Sequence, residues 1–175
     1  MIEKLLSLHN PILDKIMFLI TNIGDKITIA LFSLILIIFL LNKKEYIKTK
    51  IVVLSLGLGI VLSQGLKYLI QKPRPETMTF LETGYSFPSG HSTMSIIFFG
   101  LLIYLFKDEI KNKSTKYIFI ILNILIILLI GFSRLYFNVH YVIDVLGGYM
   151  IGFICLLSSI ILVRKIPFLN KNKLI

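Results

Sequence analysis

The sequence predicts an all-α polytopic membrane bundle, and three observations predict it. Of its 175 residues 56% are hydrophobic, and the mean hydropathy of +0.87 exceeds what a soluble core of this size requires. Apolar runs recur at 27–41, 51–70, 92–106, 117–132 and 141–163. Each reaches, with its flanks where needed, the roughly 17 to 25 residues that cross a hydrocarbon core. No alternating strand pattern is visible, and a spanning segment must satisfy its backbone internally, so the runs are helices. The reading is one domain, 1–175, with five firm transmembrane helices.

The segment 1–24 precedes the first firm run. In PILDKIMFLITNIGD the apolar positions 12, 13, 16, 19, 20 and 23 fall at helical spacing, with Asp14 and Lys15 on another side. It reads as an amphipathic interfacial helix, or alternatively as a sixth, weakly hydrophobic span that Pro11 would break. Glu3, His9, Pro11 and Asp14 interrupt any signal-peptide core, so no cleavable signal is expected. His9 reads as a surface residue.

In the 51–70 run, Ser55, Gly59 and Ser63 recur every fourth position, a small-residue stripe for close helix packing whose next turn reaches Lys67. Asn123, inside the 117–132 run, reads as an interhelical hydrogen-bond partner. The one cysteine, Cys155, lies in the last run and rules out an intramolecular disulfide.

The net charge of +10 is confined to short gaps between apolar runs and forms no basic face interleaved with aromatics, so nucleic acid is not an expected partner. Lys43, Lys44, Lys48 and Lys50, then Lys107, Lys111, Lys113 and Lys116, then Arg164, Lys165, Lys171 and Lys173 mark alternate connections. Loops rich in lysine and arginine stay cytoplasmic. The connections 71–91 and 133–140 then share the extracytoplasmic side, and they carry the unusual polar residues.

Ionisable groups at membrane depth are costly and usually mark function. Three blocks hold them. In Lys67-Tyr-Leu-Ile-Gln-Lys-Pro-Arg-Pro75 a helix bearing Lys67 stops at the prolines and leaves Arg74 extended. In Phe87-Pro-Ser-Gly-His91 a helix starts, and the backbone N–H groups of Ser89, Gly90 and His91 make an anion cradle at the positive end of the helix dipole. The third block is GFSRLYFNVHYVID, residues 131–144. If the last helix begins near Val139, His140 and Asp144 stand one turn apart on one face. An aspartate fixing one imidazole nitrogen leaves the other a free nucleophile, and Arg134 adds a bidentate fork for phosphate oxygens. Two histidines and an aspartate also suit a transition metal. Three cations would repel such an ion, whereas around a phosphate they offset growing negative charge, so phosphoryl transfer without metal or other cofactor is favoured.

Lys67-x6-Arg74-Pro75, Pro88-Ser89-Gly90-His91 and Ser133-Arg134-x5-His140-x3-Asp144 together resemble the three motifs of the type-2 phosphatidic acid phosphatase superfamily, in its short bacterial membrane branch. The resemblance implies that His140 is a nucleophile forming a phosphohistidine, that Asp144 orients it, and that His91 protonates the leaving oxygen and later activates water. It assigns Lys67, Arg74, Ser89, Gly90 and Arg134 to the phosphate. It implies hydrolysis of a lipid phosphate or diphosphate, with a membrane lipid as substrate and no obligatory protein partner evident. Undecaprenyl diphosphate and phosphatidylglycerol phosphate are the expected candidates, and the short segment 76–87 favours the isoprenyl diphosphate because it encloses little headgroup. The expected location is the cell membrane, multi-pass, with the site facing outward. A non-catalytic transporter or binder of anionic headgroups is the competing reading, since it too would need the cations, though not an aspartate-oriented imidazole. The haloperoxidase activity of distant relatives is disfavoured by the spanning helices around the site.

Overall fold

The computed structural model describes residues 9–80 and 82–166. Residues 1–8 of the amphipathic segment and the tail lysines Lys171 and Lys173 fall outside these. Six helices follow one another: α1 Pro11–Ile23, α2 Lys26–Asn42, α3 Tyr46–Ile70, α4 Gly90–Phe106, α5 Lys113–Tyr136 and α6 Val142–Lys165. Among the described residues there is no strand, and the all-α expectation is met.

Local chemistry sets the helix starts. Asn10 caps α1 by accepting from the N–H groups of Ile12 and Leu13 at 3.2 and 2.9 Å, with Pro11 at the first helical position. Pro11 therefore opens this helix and does not break it, because the N–H it lacks has no intrahelical acceptor there. Asp25 caps α2 in the same way, accepting from Ile27 N–H at 2.9 Å. The α1–α2 junction at Gly24 and Asp25 bends the pair by 47°.

By length and composition α3, α5 and α6 are long and apolar enough to cross a membrane, and α1 with α2 makes a fourth span if the bent pair counts as one. The five runs are therefore not equally strong. Helices α2 and α4 have 17 residues each, α4 because it begins at Gly90, inside the cluster of polar side chains.

Apolar side chains gain little by leaving lipid for one another, so close backbone approach has to hold the bundle. Helix α4 packs most extensively on α6. Glycines on α6 permit this: a Cβ at Gly148 would stand 2.6 Å from the Ser89 carbonyl oxygen, and one at Gly152 would stand 2.5 Å from that of Thr93. The Ser55, Gly59, Ser63 stripe of α3 is buried, with Ile97 of α4 filling the space over Gly59. Leu40, Val52, Leu101 and Val163 continue the core toward the other end. Among the described residues Asn123 makes no interhelical bond; its amide donates to the Phe119 carbonyl of its own helix at 2.8 Å.

The basic connections meet at one end, as their alternation requires. Lys48 at the start of α3 pairs with Glu109 of the α4–α5 connection at 3.1 Å, and Arg164 near the end of α6 stacks over Tyr104 at 5.3 Å. The other end collects the close of α3, the start of α4, the close of α5 and the start of α6. All eight candidate residues sit there.

Candidate active site

His140 lies on the short connection between α5 and α6, and is 3% exposed. Asn138 adopts a left-handed conformation, φ 51°, that folds the chain back, and its amide donates to Thr77 Oγ1 at 2.6 Å. Tyr141 is extended, so α6 starts at Val142, later than the sequence reading placed it. His140 thus precedes the helix. Asp144 is nevertheless brought to it: as the third residue of α6 it turns back, and Oδ2 accepts from Tyr141 N–H at 2.9 Å. His140 Nδ1 stands 3.6 Å from that same Oδ2, an electrostatic contact wider than a hydrogen bond.

The other ring nitrogen faces a cation. His140 Nε2 is 3.3 Å from Nη1 of Arg74, which also donates to the Val139 carbonyl at 2.9 Å. Burial first, and then the cations of Arg74, Arg134 and Lys67, push the imidazole down to about 4 against the opposing pull of Asp144. The ring is therefore neutral at neutral pH, the state in which a nitrogen lone pair is free to attack.

Arg134, near the end of α5, is 1% exposed. Nη1 donates to Thr21 Oγ1 at 2.6 Å, Nη2 pairs with Glu82, and Nε has no hydrogen-bond partner among the described residues. Glu82 also takes Nη2 of Arg74 at 3.3 Å. One carboxylate on the 76–87 loop therefore bridges the two arginines expected to hold phosphate. Lys67 donates to the Tyr85 carbonyl at 2.6 Å, so the same loop draws on all three cations.

At the start of α4 the cradle is smaller than the sequence implied. Ser89 N–H donates to the Asp144 carbonyl at 2.9 Å, and Ser89 Oγ accepts from Ser92 N–H and Oγ at 3.4 and 3.0 Å. The N–H of Ser89 thereby ties the start of α4 to α6, and its Oγ caps α4. Gly90 and His91 occupy the first helical positions, whose N–H groups lack intrahelical acceptors. A Cβ at Gly90 would meet no atom within 4 Å. His91 Nε2 stands 4.0 Å from Asp25 Oδ1.

Four participants were not singled out from the sequence: Thr21, Asp25, Lys72 and Glu82. Lys72 Nζ donates to Asp144 Oδ1 at 2.7 Å. His9 is likewise no isolated surface group; it contacts Asp14 at 2.8 Å, and Asp14 accepts from the Tyr136 hydroxyl at 2.5 Å, clamping α1 to α5. Among the described residues no three His, Cys, Asp or Glu side chains come together as metal ligands would.

A cavity of about 730 Å³ joins this chemistry to the hydrocarbon region. Its polar end is lined by His140, His91, Lys67 and Arg74, and its apolar end by Ile29, Leu34, Ile37, Leu56 and Ile60 of α2 and α3.

The bundle thus gathers two histidines, an aspartate, a lysine and two arginines at one end. The PAP2 superfamily matches residues 48–167, and the chain belongs to that family. It is 32% identical over 152 residues to phosphatidylglycerophosphatase B of Bacillus subtilis, covering 83% of this chain and 72% of that protein. It is 30% identical over 147 residues to undecaprenyl-diphosphatase of Sulfolobus acidocaldarius, covering 80% of this chain and 66% of the relative. The crystal structure of a transmembrane PAP2-type phosphatidylglycerolphosphate phosphatase from Bacillus subtilis superposes with a TM-score of 0.76 at 30% identity, over 94% of this chain and 83% of that one. These relatives are lipid phosphatases. Thr21 and Asp25 lie outside the matched family segment, on the α1–α2 pair.

Proposed function

We propose that this protein hydrolyses a lipid phosphate or diphosphate through a phosphohistidine on His140. The observation that carries the reading is the cavity, which has His91, His140, Lys67 and Arg74 at one end and aliphatic side chains of α2 and α3 along the other. A molecule with an anionic head and a long apolar tail fits both ends, whereas a water-soluble phosphate ester uses only the first.

In the proposed reaction His140 Nε2 attacks phosphorus, forming a P–N bond as the P–O bond to the lipid breaks. His91 gives its proton to the leaving oxygen. A water then attacks the phosphohistidine with His91 taking its proton, and inorganic phosphate leaves as the P–N bond breaks. Asp144 holds the imidazole; Lys67, Arg74 and Arg134, with the N–H groups of Gly90 and His91, offset charge on the phosphoryl oxygens. Ser89 serves this set from behind, through the cap it makes for α4. No metal takes part in these steps.

The five-span topology, with α2 and α4 as short spans and the site on the extracytoplasmic side of the cell membrane, belongs to the same proposal and rests on the clustering of basic residues at the opposite end. Between the two lipid classes, the isoprenyl diphosphate is preferred because the loop 76–87 is short. The test is a panel of undecaprenyl diphosphate, undecaprenyl phosphate, phosphatidylglycerol phosphate and phosphatidic acid, assayed with purified protein in detergent with and without chelator. Phosphate release that survives chelation and disappears in His140→Ala supports the reading; full turnover in that variant refutes it.

A further inference from the structure

A lysine that does not line the cavity is paired with the aspartate beside His140. Asp144 has no exposed side-chain surface, and a buried carboxylate needs partners for both oxygens. Oδ2 is occupied by the Tyr141 N–H and the approach of His140 Nδ1. Oδ1 is held by Lys72 Nζ at 2.7 Å, the one lysine or arginine paired with Asp144 among the described residues. The ammonium is fixed from a second side, 4.3 Å above the centre of the Tyr141 ring.

The backbone presents Lys72 to this spot. Gln71 ends α3 in the left-handed conformation, φ 51° and ψ 33°, so the next residue leaves the helix axis and turns toward α6. The Lys72 carbonyl then accepts from the N–H of Ser86 at 2.8 Å, tying this turn to the segment that leads into α4. Lys67 and Arg74, five residues before and two after, reach the cavity; Lys72 does not line it. Its nitrogen is committed to the carboxylate.

We infer that Lys72 is a positioning residue for the hydrolysis: by anchoring Oδ1 it keeps Asp144 rotated so that Oδ2 faces His140 Nδ1 and Nε2 stays aimed at phosphorus. The inference rests on His140 being the nucleophile, as proposed above. Removing the ammonium frees the carboxylate to rotate and leaves a buried charge short of a partner. The expected loss of kcat is roughly 10- to 100-fold, the range that one charge-assisted hydrogen bond supports. KM stays within about 3-fold, since Lys72 touches no substrate atom.

The experiment measures kcat and KM on the best lipid of the panel for wild type, Lys72→Met, Lys72→Arg, Asp144→Asn and the Lys72→Met/Asp144→Asn double variant, with detergent melting curves for each. Lys72→Gln replaces the Met variant if the latter fails to fold. A fall in kcat at constant KM, recovery of most turnover in Lys72→Arg, and a double variant no slower than Asp144→Asn support the inference, because a residue acting through Asp144 has nothing left to do once that carboxylate is gone. Unchanged turnover in Lys72→Met, a loss confined to KM, or additive losses in the double variant would overturn it while leaving the His140 reading intact. If His140→Ala retains full turnover, that reading falls and this inference with it.

Discussion

Arg74 Nη1 lies 3.3 Å from His140 Nε2. A guanidinium at that distance points its N–H at the ring nitrogen, and its charge opposes protonation of the ring. In the proposed mechanism the arginine is both a ligand for phosphoryl oxygens and a guard of the nucleophile's neutral state. Arg74 itself is braced by the carbonyls of Gly84, Thr83 and Val139 at 3.0, 3.1 and 2.9 Å, so its fork is fixed before any substrate enters.

A pH profile follows. The imidazole sits at about 4, well under its ordinary value, with burial as the first cause, Arg74, Arg134 and Lys67 adding to it and Asp144 opposing. If the neutral ring attacks, as proposed, kcat/KM corrected for ionisation of the substrate carries an acid limb from His140 and is lost as pH falls past about 4. In Arg74→Ala one cation is gone, so the acid limb moves to higher pH while the whole profile drops. An acid limb that keeps its midpoint in Arg74→Ala contradicts the assignment.

Glu82 predicts a gain of anion affinity. It pairs with Arg74 at 3.3 Å and also with Arg134, so any phosphate has to compete with it for both guanidinium groups. Glu82→Gln keeps the shape and removes the competing charge. Inhibition by inorganic phosphate or vanadate should tighten by about 10-fold, on the order of one charge-assisted contact. Inhibition constants measured side by side decide this, and equal values would show that Glu82 is no competitor.

The two kinds of glycine should separate packing from chemistry. In Gly152→Ala the new methyl meets the Thr93 carbonyl, a backbone atom that cannot swing away, and α4 is pushed off α6. A loss of roughly 1 to 3 kcal/mol is expected, read as a lower melting temperature in detergent. Gly90→Ala faces open space, so its melting temperature should match wild type while its turnover falls, the methyl projecting where the phosphate is to sit. The opposite ranking in melting would remove Gly152 from the packing account.

How much of this could be read in advance depends on distance along the chain. The start of α4 was legible because Pro88, Ser89 and Gly90 are adjacent, and cap, first turn and cradle are local matters. The pairing of His140 with Asp144 was legible for the wrong local reason: the sequence pointed to one helical face, whereas a left-handed Asn138 delays α6 and a back-turned Asp144 restores the contact. Asn138 itself was the available signal, since asparagine tolerates that conformation better than other non-glycine residues. Thr21 is 113 residues from Arg134 and Lys72 is 72 from Asp144, so no periodicity or spacing rule could join them. Ser89 misled in another way, because its N–H looked free until α6 supplied the Asp144 carbonyl. Span count also stayed open, since 17-residue helices lie at the lower limit where composition stops deciding.

The tail groove gives the sharpest contrast between lipid and soluble substrates. Ala30 on α2 and Ile60 on α3 line the cavity away from His140 and Arg74, so a tryptophan at either narrows the apolar end and leaves the cradle untouched. For a long-chain isoprenyl or diacyl phosphate, KM in Ala30→Trp and Ile60→Trp should rise about 10-fold, the scale of discrimination a reshaped apolar pocket achieves. For a short, water-soluble phosphate ester KM should stay within about 2-fold, because only the polar end is used. Steady-state kinetics on both substrates make the comparison internal to each variant, so a general loss of folded protein cannot mimic it. Equal changes on the two substrates would mean that the tail lies elsewhere, and the groove between α2 and α3 would lose its role in recognition.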